Sequence, residues 1–328
     1  MPAVRPLVLT VAAALLVASG CGSGALTEGG GGANEDNGTR VVHTDKGKVT
    51  VPEKPKRIVV LNSALAGYLY AMDVPVHGTI PLNPTAKGFP EFWADEAEQD
   101  DTMMVPWSND GFDLEALLAE QPDLIIAGGQ GFPGSQAADA YQDLSEIAPT
   151  VLVSTELSRW DQELEFIADE ILGMPQRADK LMRAYEDRAN AVRQAIDPPP
   201  TPVSYLLMLS NREPWSIPES ASLPTTLADI GIDSYPVLEK NPKIELFGSG
   251  DSFGMTEEKV SDLIVGRTIF VLGFQSDVTS VEELSQEKVY AQLPAFESGH
   301  AYDLPYWAHR ADYYATMALL DHIEEEFG

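Results

Sequence analysis

The 328-residue chain holds a single cysteine, Cys21, so no disulfide can form within it. Positive charge is scarce: 21 Lys and Arg stand against 51 Asp and Glu, for a formal net charge of −30. That balance argues against a nucleic-acid partner, because phosphate binding needs basic faces. The five histidines are His43, His77, His300, His309 and His322. No two of them share the helical spacing often seen in tight transition-metal sites. Long apolar runs are missing as well. Residues 7–17 are too short to span a bilayer, and no later segment approaches the ~18 apolar residues of a transmembrane helix.

What is present begins with "MPAVRPLVLTVAAALLVASGC". One base, Arg5, precedes the apolar run, and small residues follow it, so residues 1–20 read as a secretory signal peptide. "ASGC" (18–21) resembles a bacterial lipobox, which implies that Cys21 is acylated and becomes the new N-terminus. "GSGALTEGGGGANEDNG" then cannot bury enough surface to fold, so residues 21–39 read as a tether between a lipid and a domain. Losing residues 1–20 leaves 20 bases against 51 acids, a formal charge of −31. The expected location is the extracytoplasmic face of the cell membrane, held by the lipid.

Roughly 290 residues follow the tether, enough for about two domains. Strand-like runs alternate with helical segments. "RIVVLN" (57–62), "VPVHGTI" (74–80), "DLIIAG" (123–128) and "PTVLVS" (149–154) form a first set. "VSYLLMLS" (203–210), "RTIFVLG" (267–273) and "HAYDLP" (300–305) form a second. Several are apolar throughout, as expected for parallel strands covered on both faces. The alternation predicts an α/β fold with parallel pairing. Between the sets, Leu164, Ile167, Ala168, Ile171 and Leu172 follow a helical period. Gly173 fits a stop and Pro175 a new helix start. That helix has no breaker before "DPPPTP" (197–202) and would be about 33 Å long. It would act as a strut between two α/β lobes, 40–158 and 198–328, within a helical segment 159–197, and leave a cleft between them.

"GGQGFPG" contains G-x-G-x-x-G at Gly129, Gly131 and Gly134, the outline of a dinucleotide turn. It does not lie at the first strand-to-helix turn, Pro133 inside it would disturb a helix start, and an exported protein meets no cytosolic NAD. The stretch reads instead as a loop at the carboxyl end of a strand, where open α/β sheets bind ligands, with Gln130 and Phe132 facing the cleft. "SGDSFG" (249–254) contains the Gly-Asp-Ser of some esterases, but deep in the second lobe and with no paired Asp-x-x-His near the C-terminus. It reads as a polar loop.

"GKVTVPEKPKRIVVLNSALAGYLYAMDVPVHG" resembles the opening of bacterial iron-siderophore substrate-binding lipoproteins of ABC importers. "FDLEALLAEQPDLIIAG", "LSEIAPTVLVS", "ILGMPQRADKL", "LADIGID", "MTEEKVSDL" and "ADYYATMALLDHIEEEF" match further landmarks in order, over residues 40–327. The resemblance implies two α/β lobes bridged by one long helix, with a ligand cleft between them. It implies a monomer without catalysis or cofactor, which takes a ferric siderophore to an ABC permease whose ATPase is another chain. Haem, a corrinoid or another metal chelate are alternative ligands, and a secreted α/β hydrolase is the alternative from another class. A bulky chelate needs aromatic contact area and a few cations. Loops after the predicted strands supply Lys87, Phe89, Trp107, Gln130, Arg212, Trp215, Phe274, Tyr306, Trp307, His309 and Arg310 as candidates. In the family one glutamate on each lobe engages the permease, and the matching positions are Glu115 and Glu258.

Overall fold

The computed structural model describes residues 38–247, 250–274, 276 and 279–328, which belong to one compact unit. The signal peptide, Cys21 and most of the tether lie outside the described residues. A hairpin comes first, β1 (Thr39–Thr44) and β2 (Gly47–Pro52). Val42 and Val51 point inward and are fully buried while their neighbours face water, the alternation of a strand that covers a core with one face.

The first lobe is built on β3 (Ile58–Val60), β4 (Gly78–Thr79) and β5 (Met103–Met104), then, after a small hairpin of β6 (Trp107–Ser108) and β7 (Gly111–Phe112), on β8 (Leu124–Gly128) and β9 (Thr150–Val153). The sheet order is β5-β4-β3-β8-β9, with every neighbouring pair parallel. The second lobe uses β10 (Val203–Met208), β11 (Pro214–Ser216), β12 (Phe253–Gly254), β13 (Thr268–Gly273) and β14 (Ala301–Asp303), in the order β12-β11-β10-β13-β14. Here β10, β13 and β14 are parallel, but β11 and β12 join antiparallel. Parallel pairing throughout, as the sequence pattern suggests, therefore fails at this edge, because Asn211–Arg212 turn the chain straight back after β10. All residues of β3, β8, β9, β10 and β13 are buried, which accounts for their uninterrupted apolar runs.

The helix Pro175–Ala195 connects the lobes. Ala178, Leu181, Tyr185, Ala189 and Val192 line its buried face, and Arg188 at the edge of that face reaches Asp321 and Glu324 of the last helix, Tyr313–Phe327. One apolar core runs through both lobes: Ile58 and Val60 of β3, Trp160, Tyr185, Leu207, Phe270 and Leu320 belong to it. The alternate residues Val59 and Leu61 face a separate cluster behind the first sheet, and Leu206 and Met208 face another behind the second. No helix among the described residues is long and apolar enough to cross a membrane.

Polar bonds stitch the seam between the lobes. The Trp93 indole donates to Asp312 Oδ2 at 3.0 Å, and the Tyr314 hydroxyl donates to Glu96 at 3.1 Å. Tyr68 donates to Glu163 Oε2 at 3.0 Å, deep in the core. Burial is the main reason that the Glu163 carboxyl rises to about 8, opposed by the Tyr68 hydrogen bond. The folded state thus keeps a proton that the unfolded chain releases near its ordinary value of ~4.3. Stability from this group is complete below that value, falls as pH rises, and is lost once pH passes about 8. Glu163→Gln keeps an acceptor for Tyr68 and does not ionise. It should stabilise the fold by about 2 kcal/mol or more near pH 8.5 and by little near pH 4. Thermal melts at the two pH values check this, and an equal gain at both would contradict it.

Candidate functional site

Strand ends assemble a cleft of about 420 Å³ between the lobes. At the end of β3, Asn62 caps the helix Ser63–Ala71 by accepting from Ala64 N–H at 3.2 Å. Its amide donates to the carbonyls of Gly128 (2.9 Å) and Gln130 (3.0 Å), so the ends of β3 and β8 are fixed together. Gln130 Nε2 is in turn held by the carbonyls of Thr155 and Leu157. The loop before the helix Ala94–Gln99 brings Phe89, Phe92 and Trp93 to the first wall, with Trp93 stacked on Tyr70 at 5.0 Å.

The second wall comes from Phe274 after β13 and from the 3₁₀ turn Tyr306–Arg310 after β14. Trp307 meets Phe92 edge-on across the lobes at 4.9 Å. Arg310 donates from Nε and Nη2 to the two oxygens of buried Asp251, the second bond at 3.2 Å, and its guanidinium lies 5.0 Å over the Phe274 ring. His309 is buried beside them, with Nε2 3.6 Å from Asp251 Oδ2. Burial lowers its pKa to about 4, so it is neutral at neutral pH. Burial also raises Asp312 to about 6, against the pull of the Ala315 N–H and Trp93 bonds. Behind this wall a void of about 30 Å³, bordered by Gln130, Glu163, Asp251 and His309, has room for about one water.

Seven of the sequence candidates line the cleft: Phe89, Gln130, Phe274, Tyr306, Trp307, His309 and Arg310. Four do not. Trp107 is buried in the small hairpin, its indole bonded to Gln136, as part of the cluster behind the first sheet. Arg212 turns outward, with φ +67°, to pair with Glu287. Trp215 lies in antiparallel β11 against Phe247, and a Cβ at Gly254 opposite would stand 3.1 Å from its ring. Lys87 is exposed beside two lining residues, Ala86 and Gly88. Phe132 is partly exposed, and Pro133 lines the cleft in its place.

Sequence reasoning missed Asn62, Phe92 and Asp312, all of which line the cleft. Asn62 directly follows a strand, and Phe92 stands within the same aromatic loop as Phe89, so position alone would have found both. Asp312 carried no such signal: it is an N-cap whose second carboxylate oxygen meets an indole from the other lobe.

The glycine motif has a packing role. Pro133 sits in the first turn of the helix Phe132–Asp139, where a proline is tolerated, so the expected disturbance does not arise. Gly131 precedes that helix at φ +90°, and a Cβ there would stand 2.7 Å from Arg310 Nη1. A Cβ at Gly134 would stand 2.1 Å from the Gly129 carbonyl oxygen. The esterase-like serine does not reach a base: Ser252 is fully buried and its hydroxyl donates to Asp251 at 3.1 Å. No cluster of three or more His, Cys, Asp or Glu placed to hold a metal ion occurs among the described residues.

Glu115 and Glu258 are exposed in the first turns of the helices Leu114–Ala119 and Glu257–Leu263. These helices precede β8 and β13, each of which lies directly beside the first strand of its lobe's sheet, so the two glutamates occupy matching places.

Comparison with known proteins agrees with this architecture. The ferric enterobactin-binding periplasmic protein FepB of Escherichia coli O6:H1 (strain CFT073) is 28% identical over 305 residues, covering 88% of this chain and 91% of its own. The iron(3+)-hydroxamate-binding protein FhuD of Bacillus subtilis (strain 168) is 29% identical over 190 residues, covering 56% of this chain and 54% of its own. The structure of holo-ViuP shares the fold with a TM-score of 0.75 at 21% identity, over 88% of this chain and 95% of that one. Staphylococcus aureus SirA complexed with staphyloferrin B shares it with a TM-score of 0.70 at 20% identity, over 88% and 99%. The family model described as periplasmic binding protein matches residues 58–306, and the chain belongs to that family.

Proposed function

We propose that this protein is a lipid-anchored extracytoplasmic receptor that captures a preformed ferric siderophore and delivers it to an ABC importer. The observation that carries the reading is the interlobe cleft: aromatic walls, one clamped arginine, and no His/carboxylate cluster for a bare ion among the described residues. Such a site suits a metal that arrives with its coordination sphere already filled, and 420 Å³ is in the range of small-molecule pockets. The names of FepB and FhuD, which bind ferric enterobactin and ferric hydroxamate, support the same ligand class. The protein binds and releases; the energy for transport comes from the importer's ATPase.

Tryptophan fluorescence tests the reading, because Trp93 and Trp307 line the cleft and a ferric chelate should quench them. Trp307→Ala should weaken binding by about 1–3 kcal/mol through lost aromatic contact, whereas Arg212→Ala should leave it unchanged. Tight binding of uncomplexed iron, with no response to any chelate, would overturn the proposal.

The lipid sits on Cys21. A diacylglyceryl thioether with an N-acyl chain exceeds the single chain that gives only marginal anchoring. Cys21→Ala should leave unprocessed precursor or release the protein, as fractionation and apparent mass would report. A variant that partitions and migrates like the wild type would refute the anchor.

Docking to the permease uses Glu115 and Glu258. Exposed single ion pairs add little affinity but set register and association rate, which suits a receptor that must dock and leave. Glu115→Arg combined with Glu258→Arg should preserve ligand affinity in solution and abolish uptake in cells. Uptake at the wild-type rate, with normal expression, would place the docking surface elsewhere.

A further inference from the structure

The cleft carries little positive charge to offer a ligand. Arg310 is the only Lys or Arg among the described residues that line it, and it is committed before any ligand arrives. Two of its nitrogens are bonded to the Asp251 carboxylate, its face is stacked on Phe274, and its third nitrogen lies against Gly131. Asp251 is 3% exposed, so water does little to screen the pair, and the pair as a whole is neutral. His309 beside it is neutral as well.

The remaining charges on the lining are acidic. Glu91 stands exposed on the rim, on the same loop as the exposed Lys87 just outside the lining, and Asp312 lies between the walls. Behind the wall, Arg159 is paired with Asp161. Six aromatic side chains supply much of the remaining lining, Phe89, Phe92, Trp93, Phe274, Tyr306 and Trp307, among small apolar residues and uncharged polar ones such as Asn83 and Gln130. Aromatic faces are electron-rich and favour neutral or cationic ligands over anions. The chain as a whole adds a long-range field of the same sign, with 51 acids against 21 bases.

A polyanionic chelate would therefore compete with Asp251 for the one guanidinium, approach the buried and little-screened Asp312, and pass Glu91 on the rim. A neutral chelate meets neither cost and gains the same aromatic contact. Three hydroxamates carry one negative charge apiece and cancel the charge of a ferric ion. Three catecholates carry two apiece and leave a trianion. We infer that the cleft selects ferric chelates of low net charge, of the tris-hydroxamate class, over polyanionic tris-catecholates. The inference rests on the ferric-siderophore reading given above.

The test is a fluorescence titration of the full-length protein with probes from each charge class. Ferrichrome (neutral) and ferrioxamine B (cationic) stand on one side, ferric enterobactin and ferric citrate on the other. The tighter of the first two should bind at least tenfold better than either anionic probe. The Kd of neutral ferrichrome should also change less than about twofold between ~50 and ~500 mM salt, since screening acts on charged partners. Asp251→Asn frees the charge of Arg310, and Glu91→Gln removes the rim acid at an exposed position that folding does not need. Each should shift the ratio of affinities at least about threefold toward ferric enterobactin. An anionic probe that binds the wild type as tightly as the best low-charge probe would overturn the inference and leave the siderophore reading standing. Ratios unmoved in Glu91→Gln and in a folded Asp251→Asn would overturn the electrostatic cause. If no chelate binds at all, the siderophore reading falls and this inference with it.

Discussion

The geometry of the cleft depends on one close approach, that of Arg310 to Gly131. The arginine comes from the second lobe, clamped there by Asp251, and the glycine ends the first turn after β8 in the other lobe. A Cβ at Gly131 would sit 2.7 Å from the guanidinium, so any other residue there would push Arg310 out of its place against Asp251 and Phe274. Gly67 imposes the same condition on Asp312, two residues after Arg310, since a Cβ there would overlap the carboxylate that caps the last helix. With these two contacts in place, Trp93 reaches Asp312 and Phe92 reaches Trp307, and the walls face each other at a set spacing.

The shared core makes that spacing rigid. Val60, Trp160, Tyr185, Leu207 and Leu320 belong to one apolar cluster, which neither lobe can leave without exposing it to water. A hinge made of two flexible crossings would let lobes swing apart; a single helix of 21 residues packed along the core permits much less. A stiff, preformed cleft binds with a small ordering cost, which suits a bulky chelate that is itself rigid. The neutral forms of His309 and Glu163 follow from the same burial, because the core that fixes the walls also excludes the water that would solvate their charges.

Much of this fold is legible in the sequence, and the reason is burial. β3, β8, β9, β10 and β13 are covered on both faces, so they must be apolar at every position and stand out as runs. The long helix is legible because Pro175 and "DPPPTP" bracket it. β11 and β12 are not, because three and two residues leave no period to read. Within the site, Phe89, Phe274 and Trp307 are found by their place after strands. Trp107 has the same kind of place yet turns into the core, because the hairpin that carries it folds back over the first sheet. A sequence gives the distance along the chain to a strand end, but not the side of the loop from which the ring projects.

The G-x-G-x-x-G stretch shows how one pattern serves different physics. In a dinucleotide site the glycines let a backbone approach a phosphate. Here Gly131 admits the guanidinium of Arg310, and Gly134 admits the carbonyl of Gly129, so the helix Phe132–Asp139 can begin flush against the end of β8. Both uses need the absence of a side chain at a tight strand-to-helix turn, which is why spacing alone does not separate them. The separating feature lies elsewhere in the chain. A phosphate cradle needs an open helix start facing solvent, whereas this one is closed by a cation that already has its own carboxylate, Asp251, some sixty residues away in the sequence.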